Sequence, residues 1–436
     1  AMERRMPHTE VVALSEGLND FADLQSLQAD YTAAEQAYRE AIGRIGPHPK
    51  DHRSRVALAN SLFGLGSVLR TEGRYPQAER SLRDALAMQT KLYGAKHGDI
   101  GRTLVDLSMT LDDEDELKAA LPLMRSAVSM QRELYGSEPH PDLADAVNDL
   151  GSLLEENGDY DESEKMYREA VALRRRLYGD KHPKIAQGLN NLASAMQDKG
   201  ELASSEATYL QALAMERELL GNVHPEVANT LNNVAFVQYD RGDTAGALAT
   251  EREALGIYRK LFPGDHPRVA AVTNTIGLWL TFAGEYAEAE RDLRTGLEMR
   301  RRLFSDTSPD VASSLENLAI LQVAIRRYSD GLQSARTAIG IFTHAFSADN
   351  WRTAIAESAA GGALTGLGSY AEAEKLLGHS SAILRKDPFA QAAFRTLTQH
   401  YLQALHEQQH RQAPARAAGP ALQRVSPQAM VIAPRP

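Results

Sequence analysis

The sequence predicts an all-α protein, a stack of about nine helix–turn–helix units with a C-terminal capping helix. Three observations lead there. A turn glycine recurs at a fixed step, with Gly158, Gly200, Gly242 and Gly284 each 42 residues apart. Apolar residues between the glycines fall at helical spacing. A His-Pro pair recurs in phase with them. Self-similarity at a period of roughly 20–50 residues marks a stacked-repeat protein.

Arg326 and Gly368 continue the step forwards. Backwards, Asp115 and Gly73 fit with a shift of one residue at most, and Ala29 with a slightly longer spacing. In the fifth unit Leu189, Leu192, Ala193 and Met196 sit at i, i+3, i+4 and i+7, one apolar stripe. Lys199-Gly200-Glu201 breaks it, and Ser205, Tyr209, Ala212 and Leu213 form a second stripe. Small residues at one equivalent position, Ala78, Ser163, Ser205 and Ala289, predict a close approach of the two helices. The third unit ("LDDEDELKAAL") and the eighth ("AIRRYSDGL") lack the turn glycine, so both are expected to fray or bend. The ninth is glycine-rich, with Gly361, Gly362, Gly366 and Gly368.

The repeat array is expected over residues 9–388, after a cloning remnant or flexible N-terminus at 1–8. Residues 389–407 read as a helix that covers the last apolar face of the stack. Residues 408–436 are rich in Pro and Ala, carry Arg411, Arg416, Arg424 and Arg435 and no acid, and read as a disordered basic tail.

Composition narrows the function. The chain of 436 residues is 43% hydrophobic and 24% charged, with a net charge of −10. That balance argues against a general nucleic-acid binder. With no cysteine, disulfides, cysteine-ligated zinc and thiol catalysis are excluded. No apolar run approaches the roughly 18 residues of a membrane span, and the N-terminus lacks a signal-peptide core. A cytoplasmic protein is expected.

His48-Pro49, His140-Pro141, His182-Pro183, His224-Pro225 and His266-Pro267 recur, with Ser308-Pro309 in the seventh unit. A metal-ligand ladder would need neighbouring histidines to meet, but successive units are offset by about 10 Å, a helix diameter. Proline suits the first helical turn, and serine in place of histidine fits a helix cap.

This pattern of period, small residues and turn glycines, with "HPxVAxxLNNLA"-like wording opening the units, resembles the tetratricopeptide repeat in its 42-residue kinesin-light-chain form. Similar arrays are attached to bacterial signalling proteins such as Ser/Thr kinases. The resemblance implies a right-handed α-solenoid whose first helices line a concave groove. Counting the turn residue as position 15, position 5 of that groove reads Asn19, Phe63, Val105, Asn148, Asn190, Asn232, Asn274, Glu316 and Ser358. Asparagine is a mediocre helix former, and its amide offers both donors and an acceptor to a peptide backbone. By this resemblance Asn148, Asn190, Asn232 and Asn274 are expected to clamp an extended peptide. Gln187, Asn229, Ser152, Ser194, Gln197, Phe236 and Tyr239 are expected to tune selectivity. The alternative is that these amides tie helices together, as Asn191, Asn233 and Asn317 at position 6 are expected to do.

No catalytic constellation of phosphate loop, kinase motif or nucleophile elbow occurs. "HEQQH", His406–His410, matches the zinc-protease H-E-x-x-H pattern, but no His, Asp, Glu or Cys follows it as a third ligand. A zinc hydrolase is thus the weakest reading, and no cofactor is expected. The runs Arg174–Arg176 and Arg300–Arg302 read as a solvated face late in the second helix. The function expected is a non-catalytic protein-protein interaction module that binds an extended peptide of a partner, or its own tail. Such self-binding is favoured by charge, since the tail holds +4 and the remainder −10 − 4 = −14. The alternative is a sensor or substrate-recruiting part of a larger bacterial signalling enzyme.

Overall fold

The computed structural model describes residues 8–387 and 392–417. All its described elements are helices, packed in consecutive pairs. The first pairs are α1 (His8–Leu27) with α2 (Tyr31–Ile45), α3 (His52–Thr71) with α4 (Tyr75–Tyr93), and α5 (Gly98–Asp112) with α6 (Leu117–Tyr135). Next come α7 (Pro141–Glu156) with α8 (Tyr160–Tyr178), and α9 (Pro183–Asp198) with α10 (Leu202–Leu220). Then follow α11 (Pro225–Asp240) with α12 (Thr244–Leu261), and α13 (Pro267–Ala283) with α14 (Tyr286–Leu303). The last pairs are α15 (Pro309–Ala324) with α16 (Tyr328–Ala345), and α17 (Trp351–Leu367) with α18 (Tyr370–Leu384), followed by α19 (Ala392–Ala417). The fold is a solenoid of nine helix pairs and a final helix. We call the two helices of a pair A and B. The chain divides into two compact units, Ala1–Leu219 and Leu220–Pro436.

In the first unit the core runs along the stack, and one cluster joins Met124 and Val128 of α6 to Leu143, Val147, Leu150 and Leu154 of α7. Leu189, Leu192, Ala193 and Met196 of α9 are all buried, as their spacing predicts. Burying each leucine is worth about 1.5–3 kcal/mol. The small residues Ser163 and Ser205 are fully buried, and each Oγ donates to a carbonyl of its own A helix, Gly151 O at 2.8 Å and Ala193 O at 2.6 Å. In the second unit α19 packs on α17 and α18, with Phe394 and Leu405 buried. It runs on to Ala417, past residue 407 where the sequence suggests the helix ends. Residues 1–7, residues 388–391 at the expected start of the capping helix, and the rest of the expected tail, 418–436, lie outside the described residues.

The turn between A and B is the same in every pair. Gly73, Gly158, Gly200, Gly242, Gly284 and Gly368 have φ of 73–86°. Ala29, Asp115 and Arg326 take that left-handed conformation at 61°, 61° and 63° without being glycine. The next N–H then closes back onto the end of helix A, from Glu201 to Met196 O at 2.8 Å and from Glu116 to Leu111 O at 2.8 Å. This is the pattern that satisfies the last carbonyls of a helix. The third and eighth units therefore keep the common turn instead of fraying, at the expense of a strained residue. A Cβ in this region costs about 1–2 kcal/mol.

The histidines cap the A helices. Nδ1 of His140, His182, His224 and His266 accepts the N–H two residues on, at 3.2 Å in each case. Ser308 Oγ accepts likewise from Asp310, also at 3.2 Å. His140 and His182 stack on Tyr135 and Tyr178 at the end of the previous B helix, at 3.7 and 4.2 Å. His97, which has no proline after it, does the same and is not signalled by the dipeptide. His48 is not a cap. Asp51 takes that place in α3, accepting from Ser54 N at 3.0 Å.

One B-helix position breaks the core pattern. Tyr167, Tyr209 and Leu293 are buried at successive steps of 42 residues, and Glu251 occupies the step between the last two. Its side chain is fully buried and neither carboxylate oxygen has a hydrogen-bond partner. Burial pushes the Glu251 carboxyl up to about 8. The folded chain thus holds a proton that the unfolded chain releases above about 4.3. The associated stability is present below the unfolded value and is lost as pH rises through about 8.

We expect Glu251→Leu to be more stable than wild type, by a margin that widens by on the order of 3 kcal/mol between pH 5 and pH 9. Chemical denaturation at several pH values measures this, and a pH-independent margin would contradict the buried-acid account. Ala29→Gly, Asp115→Gly and Arg326→Gly should each raise stability by about 0.5–1 kcal/mol, whereas Gly200→Ala should lower it by a similar amount. Thermal melts of the four variants check the signs.

Candidate functional site

The predicted binding residues lie on A helices, at registers repeated from pair to pair. In the first unit the asparagines are engaged by their own chain. Asn148 of α7 is buried, and its Oδ1 accepts from Arg174 Nη1 at 3.3 Å and from Asn191 Nδ2 at 3.1 Å. Its Nδ2 donates to Asp149 Oδ1 at 3.3 Å. Asn191 thereby joins α9 to α7, as expected of position 6. Asn190 is half-buried, and its Nδ2 donates to Glu216 Oε1 at 2.8 Å and to Ala186 O at 3.3 Å. Ser194 donates to Glu155 Oε1 at 2.7 Å. Gln187 and Ser152 are exposed, and Gln197 is half-buried.

The reading of the arginine runs as a solvated face holds for the exposed Arg175, Arg176, Arg301 and Arg302 and fails for Arg174. Its side chain is buried against Asn148, Asp145 Oδ1 at 3.0 Å and Lys184 O at 2.9 Å. Arg300 is also buried, bonded to Asp310 O at 2.7 Å and Ser314 Oγ at 3.0 Å, and burial holds its guanidinium below the usual range. A charge this deep requires partners, and both arginines find them on A helices. A run of three arginines shows only a basic segment; the core-facing member is the one in phase with the apolar stripe.

The A-helix registers of the first unit also hold crowded carboxyls. Burial first, and then the neighbouring Glu155, pushes Asp198 up to about 6. Burial likewise lifts Asp149 to about 6, against the Asn148 amide that favours the carboxylate. This wall loses negative charge as pH falls below about 6.

In the second unit the asparagines of this register are bonded differently. The residue 26 positions after each asparagine decides this. Arg174 and Glu216 take up Asn148 and Asn190 across that separation. Tyr258, in the equivalent place for Asn232, instead donates to Asn229 Oδ1 at 2.6 Å, an oxygen that also accepts from Arg268. The half-buried Asn232 makes no hydrogen bond to the described residues. Asn274 is buried with Oδ1 unpartnered, since Arg300 is directed elsewhere. An unmet buried acceptor costs about 1–3 kcal/mol. Beside Asn232 on α11, Phe236 meets the Trp279 ring edge-on at 5.2 Å and Tyr239 stacks on it at 4.7 Å. Burial pushes the Tyr239 hydroxyl up to about 12. Trp279 was not signalled by the amide pattern; it stands where other units carry small or aliphatic residues. Position 5 ends in buried Glu316 and Ser358, and burial lifts Glu316 to about 8.

On α19, His406 and His410 stand one turn apart and Glu407 accepts from Gln403 at 3.0 Å. Among the described residues no group of three His, Cys, Asp or Glu side chains is placed to hold a metal ion. No described helix is long and apolar enough to cross a membrane.

A search of the curated proteins gives no match. Among solved structures, the apo form of RapI aligns with a TM-score of 0.61 at 13% identity, covering 92% of this chain and 99% of RapI. The apo quorum sensor NprR from B. thuringiensis aligns at 0.58 and 13% identity, covering 78% of this chain and 90% of NprR. The nearly identical TPR-like repeats of a Podosopora anserina protein assigned to the kinesin light chains align at 0.43 and 20% identity, over 47% of this chain and 96% of that one. The tetratricopeptide repeat family model matches residues 57–133, 142–215, 184–260 and 265–344, more than half of the chain. With this match and the repeated helix-pair architecture, the chain belongs to the tetratricopeptide repeat family.

Proposed function

We propose that the chain is a non-catalytic interaction module that receives an extended peptide segment of a partner protein along its A helices. The observation that carries this reading is Asn232, a half-buried amide without a partner among the described residues, set on one helix face with Phe236 and Tyr239. Residues three, four and seven apart are neighbours on that face. A free amide can bond a passing backbone through both its N–H and its C=O groups, while the ring edges offer apolar contact to a side chain. In the first unit the exposed Gln187 and Ser152 are the accessible polar groups, with Ser194 and Gln197 beside them. Asn148 and Asn190 would reach a peptide by exchanging their bonds to Arg174 and Glu216. Asn274 would offer its buried, unpartnered oxygen to a peptide by turning it outward. Ordering a free peptide costs about 2–5 kcal/mol, so individual sites should bind modestly.

A displayed random-peptide library panned on the full chain supplies the ligand, and fluorescence anisotropy measures it. Asn232→Ala should weaken the selected peptides roughly threefold to tenfold and leave the melting temperature in place. Asn148→Ala should behave oppositely, lowering stability by about 1–3 kcal/mol because it strips a partner from buried Arg174. Equal peptide affinity in wild type and Asn232→Ala would remove the basis of the reading.

A further inference from the structure

The outer face of α1 is built like an interior interface but is left uncovered by the described residues. Leu14, Phe21, Leu24 and Leu27 are 38%, 47%, 50% and 86% exposed. Together with Ala13 and Gly17 they fall on one arc of the helix, about 140° wide at 100° per residue. The buried side of α1, with Val12, Ser15, Asn19 and Ala22, faces α2 and α3.

The internal repeats show what such an arc receives. Counting back from the turn, Leu14, Gly17, Phe21 and Leu24 of α1 occupy the places of Ile185, Gly188, Leu192 and Ala195 in α9. All four of those α9 residues are buried. The B helix of the preceding pair covers them: Tyr167 of α8 packs with Leu192 and Ala195, and Val171 of α8 with Ile185. The approach is close, because a Cβ on Gly188 would stand 2.9 Å from Val171 Cγ2. Gly17 keeps the small residue at that place, yet nothing lies within 4 Å of where its Cβ would be. α1 therefore presents the apolar pattern and the glycine groove of a helix-receiving surface.

Charge selects among helices. α1 contains Glu10, Glu16, Asp20 and Asp23 and no lysine or arginine. Glu16 pairs with Arg53 of α3 and Asp23 accepts from Tyr38 of α2. Glu10 and Asp20 are exposed and lie on the apolar arc itself. A second copy docking through the same face would bring these acids together, whereas a basic helix would neutralise them.

We propose that the outer face of α1 is a docking surface for a basic amphipathic helix of a partner protein, whose apolar residues fill the places that Tyr167 and Val171 take over α9. This is helix-in-groove recognition, read through anchors at i, i+3, i+4 and i+7, and it is independent of the extended-peptide reading of the A-helix registers.

The probe is a synthetic peptide of the α8 sequence, Tyr160–Tyr178, with Glu162 and Glu164 replaced by glutamine to make it basic. Fluorescence anisotropy with the full chain should show binding that weakens as salt rises. Phe21→Glu with Leu24→Glu should reduce it at least tenfold while the melting curve, set by buried residues, is retained. Glu10→Lys with Asp20→Lys should weaken the basic peptide and favour one whose arginines are replaced by glutamate, a reversal that a folding defect cannot produce. Equal binding to wild type and the Phe21/Leu24 variant overturns the proposal. So does a wild-type dimer in sedimentation that the Phe21/Leu24 variant dissolves, since the face would then be covered by a second copy.

Discussion

The structure depends on one local constraint, the left-handed residue between the two helices of each pair. It reverses the chain in the least space and lets the next amide close the end of helix A, as Glu201 does on Met196 O. Once the reversal is fixed, the close-approach position must be small, the two apolar stripes must face each other, and the next pair must stack at a set offset. Ala29, Asp115 and Arg326 show how strong the constraint is. The backbone adopts the strained conformation at these residues instead of letting the turn relax, because relaxation would separate stripes whose burial is worth several times the strain.

Capping follows the same economy. A histidine at the start of helix A satisfies an orphan N–H with one ring nitrogen and lays its ring on the aromatic residue that ends the previous helix B, as in His140 on Tyr135. A single side chain thus fixes both where a helix begins and how the preceding one is left. Serine at position 308 supplies the hydrogen bond without the stacking, so the pair is separable in principle and joined here by the repeat.

Much of this was legible in the sequence because it is local. The spacing of Leu189, Leu192, Ala193 and Met196, the turn glycines, and the prolines after the caps all act within one or two helical turns. What was not legible concerns partners far along the chain. That Asn148 is tied and Asn232 is not depends on the residue 26 positions later and on where that residue finds its own bonds. The burial of Arg174 and the unpartnered carboxyl of Glu251 are likewise decided by packing across pairs. The register of Glu251 with Tyr167, Tyr209 and Leu293 was readable, and it marks an acid in a core position. The repeated asparagines showed a shared position. They did not show that the position would be used differently from pair to pair, tied by internal bonds at Asn148 and Asn190 and left unbonded at Asn232 among the described residues.

The serine bonds at the close-approach position carry a consequence for mechanics. Ser163 and Ser205 set the gap between two helices by holding a hydroxyl against a backbone carbonyl. Within a stack, each pair is seated on the one before it, so a small change in that gap is not absorbed locally but passed on as a tilt. A single added methyl at Ser163 would therefore be felt in the neighbouring pairs of the first unit and not only in its own.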